Sequence, residues 1–179
     1  VAGMYIMMTS KGTFYFSDTT LNIDPTAEEL ADIAIMTADA VKLFEAKPKV
    51  AFLSYSNFGS ASGDTQKKSA LAANIVKSKR PDISVEGEMQ ANIALNPELQ
   101  KQFYPFSDLR EENVNTLIFP NLAAGNISYK LLMELGNADA IGPVLVGMKK
   151  PVHILQQGSS VRDIVNMVTI AVIDAQRKS

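Results

Sequence analysis

The sequence predicts an α/β sandwich built on a mixed sheet, and three features carry that reading. From residue 49 onward, short runs of β-favouring residues alternate with longer runs of helical periodicity. Gly, Pro and Asn sit at the junctions, where turns and helix ends need them. The first two strand-like runs are joined by a turn too short for a parallel crossover, so the sheet must be mixed.

The opening runs are Met4 to Thr9 and Thr13 to Phe16, with Ser10-Lys11-Gly12 as the hairpin turn. A helix follows, with Asp24 expected as N-cap, Pro25 at the first helical position, and Glu28 and Glu29 near the positive dipole end. Its apolar face is Leu30, Ile33, Ala34, Ala38, Val41 and Phe44, and Pro48 closes it. Lys49 to Tyr55 reads as a buried strand, and the loop Ser56 to Thr65 is small and polar. Gln66 to Lys79 is a helix with the stripe Leu71, Ile75 and Val76. Ile83 to Glu88 is a strand, Ala91 to Phe103 a helix interrupted near Pro97, and Thr116 to Phe119 a short strand. The spacing Ile127, Leu131, Leu135 predicts a helix from about Asn126 to Leu135, with Gly136 as C-cap. Ile141 to Val146 is a strand and Pro151 to Leu155 is extended. The last helix, Val161 to Gln176, presents Ile164, Val165, Val168, Ala171, Val172 and Ala175 on one broad face. No internal repeat or low-complexity stretch is present. The one boundary-like stretch is Gly142-Pro143 to Lys150-Pro151, rich in Gly and Pro.

The chain has 179 residues, enough to bury a core without disulfide or metal staples. It has no cysteine, which excludes Cys-ligated zinc, iron–sulfur clusters and thiol nucleophiles, and fits a reducing cytoplasm. Its net charge is −2 with Lys and Arg dispersed, so it lacks the basic stripe that nucleic acid or an anionic membrane would require. No run is long enough for a transmembrane span. The chain begins at Val1 in the lead-in to a strand, so it is expected to be a piece of a longer polypeptide.

Ligands of α/β proteins usually bind beyond the C-terminal ends of the strands. Three loops qualify. Ser54, Ser56, Gly59, Ser60 and Ser62 form a hydroxyl-rich loop opening a helix, either a phosphate cradle or a flexible connection. It is not a P-loop, because the Gly-Lys-Ser/Thr end is missing. Pro120 to Asn126, with Asn121, Gly125, Asn126 and then Lys130, suits an anion at a helix N-terminus; an Asn-capped helix with a surface lysine is equally consistent. The third loop is Leu155 to Asp163. The sole histidine, His153, precedes it and reads as a core or hydrogen-bonding residue, while Asp163 reads as a dipole-stabilising carboxylate. No spacing of His, Asp or Glu matches a metal cage.

Several blocks carry more than local chemistry. Phe119 to Lys130 (FPNLAAGNISYK), Gly87-Glu88-Met89-Gln90, Leu53 to Ser56 with Gly59-Ser60, and Asp24 to Ala31 resemble, in order, the blocks of the phosphate acetyl/butyryl transferase family. The tail, Gly147 to Gln156 followed by Ser160 to Met167, is similar to the branch fused to malic enzymes. The resemblance implies a three-layer α/β/α sandwich related to isocitrate and isopropylmalate dehydrogenases, truncated to about the second half of the family domain. Residues 1–142 would form the smaller subdomain and 143–179 the segment returning to the larger one. It also implies a homodimer or higher homo-oligomer, a malic enzyme domain in cis holding NADP and a divalent metal, and no cofactor in this fragment. Working members of the family have Ser-Arg before the glycine matching Gly158, where this chain has Gln156 and Gln157. The position of the family's thiol-deprotonating carboxylate is Asp163, and Asn92 stands where the family usually has Asp.

A glutamine supplies neither the positive field nor the bidentate fork of arginine. The expected function is therefore a regulatory, catalytically degenerate domain that senses acetyl-CoA, with Ser54, Ser56, Asn121, Gly125, Asn126, Lys130, Gln156, Gln157 and Asp163 as candidate ligand contacts. Two alternatives are a fragment of an active phosphate acetyltransferase with Asp163 as base, and a ligand-free dimerisation scaffold using helices such as Ile33 to Val41.

Overall fold

A computed structural model describes residues 1–177, up to the side chain of Gln176. The strands are β1 (Ala2–Thr9), β2 (Gly12–Ser17), β3 (Lys49–Leu53), β4 (Ser84–Met89), β5 (Thr116–Ile118) and β6 (Asp139–Val146). The helices are α1 (Ala27–Leu43), α2 (Asp64–Lys79), α3 (Ala91–Ala94), α4 (Pro97–Phe103), α5 (Leu122–Gly136) and α6 (Val161–Arg177).

The strands form one sheet in the order β4-β3-β5-β2-β1-β6. β1 runs antiparallel to both its neighbours, while β2, β5, β3 and β4 pair in parallel. The expected mixed sheet is therefore a parallel sheet with one reversed strand inside it. Alternation along β1 sends Met4 and Ile6 into a core under α1, α2 and α6, and Tyr5 and Met7 into a core under α3 and α5. That makes three layers, as expected. Residues 142 and 143, between which the two expected segments meet, lie within β6, which pairs with β1 on both sides of that point.

Helix ends and faces differ from expectation in instructive ways. α1 is capped by Thr26, not Asp24: its hydroxyl accepts from Glu29 N and the Glu29 carboxylate accepts from Thr26 N, a reciprocal capping box. Pro25 then lies outside the helix. The expected face of α1 is buried through Val41, and Phe44 follows as the C-cap. α2 starts at Asp64 and buries Gln66, Ser69, Ala72, Ala73 and Val76, leaving Leu71 half exposed. Small residues there let α2 lie close to the sheet, so the bulkier leucine faces out. α5 begins at Leu122, capped by Asn121, and its C-cap is the left-handed Asn137 rather than Gly136. It buries Gly125 and Tyr129, whereas Ile127, Leu131 and Leu135 face outward, Leu135 at 80% exposure. α6 likewise buries Met167, Ile170 and Asp174, while Val165, Val168 and Val172 stay exposed. α5 and α6 each bury only a few residues, on a side that periodicity did not identify.

Gly125 sets how close α5 approaches. A Cβ there would stand 2.3 Å from the Asp18 carbonyl oxygen and 3.4 Å from the Phe119 Cβ. The Gly125→Ala variant is expected to lose about 1–3 kcal/mol, the usual cost of overpacking, because a backbone carbonyl cannot swing aside. Urea unfolding checks this: the midpoint should fall with little change in slope.

Candidate functional site

The first loop is closed by the protein itself. Ser56 is fully buried and donates to the Glu88 carboxylate at 2.8 Å, and the same oxygen, Oε1, accepts from Gly59 N at 2.7 Å. Phe58 N donates to the Glu88 carbonyl oxygen, and Ser54 Oγ accepts from Ser56 N. Gln90 completes the knot, its amide N–H meeting Asn57 Oδ1 and its side chain donating to the Tyr55 carbonyl. The loop does cradle an anion, and that anion is Glu88.

The second loop is also engaged. Asn121 Oδ1 accepts from Ala124 N, Leu122 N donates to the Ile23 carbonyl, and Asn126 Nδ2 donates to the Thr19 carbonyl. Because α5 starts at Leu122, the amides of residues 125–127 lie inside the helix, with Gly125 N donating to the Asn121 carbonyl. Asn121, Gly125 and Asn126 thus fasten α5 to the sheet.

The third loop opens on a groove. A concavity of about 450 Å³ lies beside the first half of the edge strand β6, between α5 and α6. Lys130, Gln156, Gln157 and Asp163 line it, so these four candidates are brought together, while Ser54, Ser56, Asn121, Gly125 and Asn126 are not among its lining residues. The groove is beside the sheet edge rather than beyond the strand ends, because β6 is outermost and α5 overhangs it. Gln156 and Ser159 form a tight turn, with Gly158 at φ +92° and Ser159 Oγ donating to the Gln156 carbonyl at 2.8 Å. That turn points Gln156 Nε2 at Tyr5 Oη, 3.2 Å away.

Tyr5 and Tyr129 form the floor, their rings stacked at 4.1 Å with planes 16° apart. Burial, with the Tyr129 phenol beside it, pushes the Tyr5 hydroxyl well above the ordinary tyrosine range. Lys130 Nζ lies 5.9 Å from the Tyr129 ring centroid, over its face. The wall adds Met133, Glu134, Met167 and Ala140 to Gly142. Sequence reasoning named none of these. The available signal was a tyrosine inside an apolar strand, whose hydroxyl needs a polar partner.

Asp163 caps α6. Its Oδ2 accepts from Ser160 N and from Ser160 Oγ, both at 2.8 Å, and Asp163 N donates back to Ser160 Oγ. The backbone bond from Ser160 and then its hydroxyl hold the carboxyl below the usual aspartate range. His153 sits apart, in the wall of a second, apolar cavity of about 340 Å³ between α1, the end of β6 and α6. Among the described residues no cluster of His, Asp and Glu is arranged to hold a metal ion, and no helix is long and apolar enough to cross a membrane.

A sheet of this order, with α5 fastened by its Asn121 to Asn126 loop, can be compared with known proteins. The Phosphate acetyl/butaryl transferase family model matches residues 1–172. The chain belongs to that family. The phosphate acetyltransferase of Clostridium acetobutylicum is 43% identical over 184 residues, covering 99% of this chain and 55% of its own length. The NADP-dependent malic enzyme of Haemophilus influenzae is 40% identical, again over 99% of this chain but only 23% of its own. A phosphotransacetylase crystal structure from Streptococcus pyogenes superposes with a TM-score of 0.92 at 39% identity, over 98% of this chain and 54% of that one. The chain therefore spans about half of the transferases it matches and under a quarter of the malic enzymes. This phosphate acetyl/butaryl transferase domain is thus of a kind found in both.

Asp163 contributes stability that is fully present above the ordinary aspartate pKa and is lost as pH falls through its lowered value. Its carboxyl resonance should titrate below that of an aspartate in an unstructured peptide, and Ser160→Ala should move the midpoint up. An unshifted midpoint in both proteins would show the cap to be absent in solution.

Proposed function

We propose that this chain is the acetyl-CoA-sensing, catalytically degenerate phosphate acetyltransferase-like domain of an NADP-dependent malic enzyme. The observation that carries the reading is the charge of the groove. Among the described residues lining it, Lys130 is the one cation, set against the carboxylates of Glu134 and Asp163, and Gln156 and Gln157 occupy the loop where working relatives are expected to place Ser-Arg. Acyl transfer from an acyl phosphate develops charge on phosphoryl oxygens, which a preorganised positive field must stabilise. Neutral amides do not provide that field. Asp163, held by Ser160 and depressed in pKa, is a weak base, so the geometry favours holding a ligand over activating a thiol.

In this reading the domain binds acetyl-CoA and passes occupancy to a malic enzyme domain in cis, which holds NADP and a divalent metal; this segment binds no cofactor. A homodimer fits the outward apolar residues of α5 and α6, including Ile127, Leu131, Val165 and Val168. The ligand-free scaffold fits less well, since the Ile33 to Val41 face of α1 is buried against the sheet. The second reading, half of an active phosphate acetyltransferase, is favoured by the 43% identity to such an enzyme and by Asp163 lying in the groove.

Turnover of acetyl phosphate and CoA separates the two readings. The complete protein should show none above background; turnover abolished by Asp163→Asn would establish the transferase instead. In calorimetric titration, Lys130→Ala should weaken acetyl-CoA binding by about 1.5–3 kcal/mol, the range for a charge-assisted hydrogen bond. Asp163→Asn should change it much less, and the reverse ranking would place the ligand elsewhere. The inhibition curve of malic enzyme activity should shift by a similar factor, with uninhibited activity unchanged.

A further inference from the structure

We propose that the crevice between the β1-β2 hairpin, the α3-α4 junction and the end of α5 is a second ligand site, which takes a small monocarboxylate with an apolar, aromatic body. It stands independently of the acyl-CoA reading, because the crevice shares no lining residue with the groove.

The crevice exists because helices end over the same stretch of sheet. α3 stops at Ala94, and Pro97, the first residue of α4, cannot continue it, so the chain turns at Leu95 and Asn96. Asn96 then caps α4 by accepting from Leu99 N. α5 stops at Gly136, where the left-handed Asn137 turns the chain away. About 530 Å³ is left open between these ends, a size usual for small-molecule sites. The floor is β2 and β5: Phe14 and Phe16 are two residues apart and so share a face, and Leu117 pairs with Phe16 across the ladder. Leu95 and Leu132 stand on the two walls, and Leu95 is 40% exposed.

The hairpin end is polar. Thr9 holds the turn, its Oγ1 accepting from Lys11 N at 3.1 Å and donating to the Gly12 carbonyl at 3.0 Å. Ser10 and Lys11 thus sit on a fixed rim, and the parallel register Tyr15↔Thr116 brings Asn113 alongside the same end of β2. Lys11 is the one charged side chain lining the crevice, and among the described residues its ammonium has no ion-pair partner. A single cation beside an apolar cleft selects a ligand with one negative charge and an apolar body. A dianion would leave charge unmatched against apolar walls, and a cation would be repelled. The C-terminal end of α5 at Gly136 carries partial negative charge, which keeps the carboxylate at the hairpin with Lys11. Ser10 and Asn113 are further donors there, and the ring lies over Phe14 and Phe16, where aromatic edges and faces pack well.

The probe is 3-phenylpropanoate, with 3-phenylpropanamide as its neutral isostere. Each is titrated into the complete protein and read from the methyl resonances of Leu and Val. The acid should shift Leu95, Val114, Leu117 and Leu132 along one saturable curve and leave Leu155, in the groove, unmoved. Its Kd should be roughly 1 mM, ordinary for a ligand of this size. The amide should bind about 3–10-fold more weakly, between the worth of an exposed ion pair and that of a charge-assisted hydrogen bond. Lys11→Met, at an exposed turn position, should lower the affinity for the acid to that for the amide and leave the amide unchanged. Leu95→Trp, also at an exposed position, fills the crevice and should weaken both. Equal binding of acid and amide by the wild type, or loss of both by Lys11→Met, would overturn the assignment, as would the absence of any saturable shift. Shifts of these methyls that follow protein concentration instead of ligand would place a second copy of the chain in the crevice, and the assignment would fall.

Discussion

The carboxylate of Asp18 ties together the parts on which the groove depends. Asp18 is 2% exposed, and its Oδ1 accepts from Gly3 N, Thr20 N and Leu21 N, while Oδ2 accepts from the backbone and side chain of Asn22. Gly3 belongs to β1, so the bonds fix the reversed strand to the turn that leaves β2. The carbonyl of the same residue is the surface on which Gly125 packs, which sets the height of α5 over the sheet. β1 carries Tyr5 and α5 carries Tyr129 and Lys130, so the floor and one wall of the groove follow from this single anchor. Buried carboxylates are tolerated when their lone pairs are filled, and here they are.

The same logic explains why two of three plausible anion loops are closed. Backbone N–H groups at a strand end or helix start must find acceptors whether or not a ligand is present. In the loop after β3 the acceptor is Glu88, and at the start of α5 it is Asn121 together with the carbonyl of Ile23. Donor-rich loops announce themselves in sequence by their Ser, Gly and Asn content, but that content reads identically whether the anion arrives from solution or from the chain. The block Gly87-Glu88-Met89-Gln90 takes part in this internal scaffolding: Glu88 and Gln90 hold the loop from residue 54 to 60.

The outward stripes on α5 and α6 make a related point about helices. Ile127, Leu131 and Leu135 share one side of α5 at four-residue spacing, as Val165, Val168 and Val172 do on α6 at spacings of three and four, and periodicity counts them as a core face. They are faces awaiting something other than this chain's own sheet. The matched transferases are about twice as long and the matched malic enzymes more than four times, and exposed apolar faces of this size are usually interaction surfaces.

By itself the sequence determined the α/β class, the order of nearly every element, the hairpin that makes the sheet mixed, and family membership through contiguous blocks such as Phe119 to Lys130. It also supplied Gln156-Gln157, the pair on which the proposed function rests. These are properties of neighbours along the chain: turn chemistry, period and motif. Tertiary structure alone decided which side of α2, α5 and α6 is buried, that Thr26 rather than Asp24 caps α1, and that Gly125 serves close packing. It also decided that Lys130 joins Gln156 and Asp163 in one groove while the serine loop does not, and that Tyr5, 151 residues from Gln156, meets it at the groove floor. The reason is that a hydrogen bond or a close approach depends on where two distant segments meet. A periodic pattern says that a face is apolar, but only the packed sheet says what covers it.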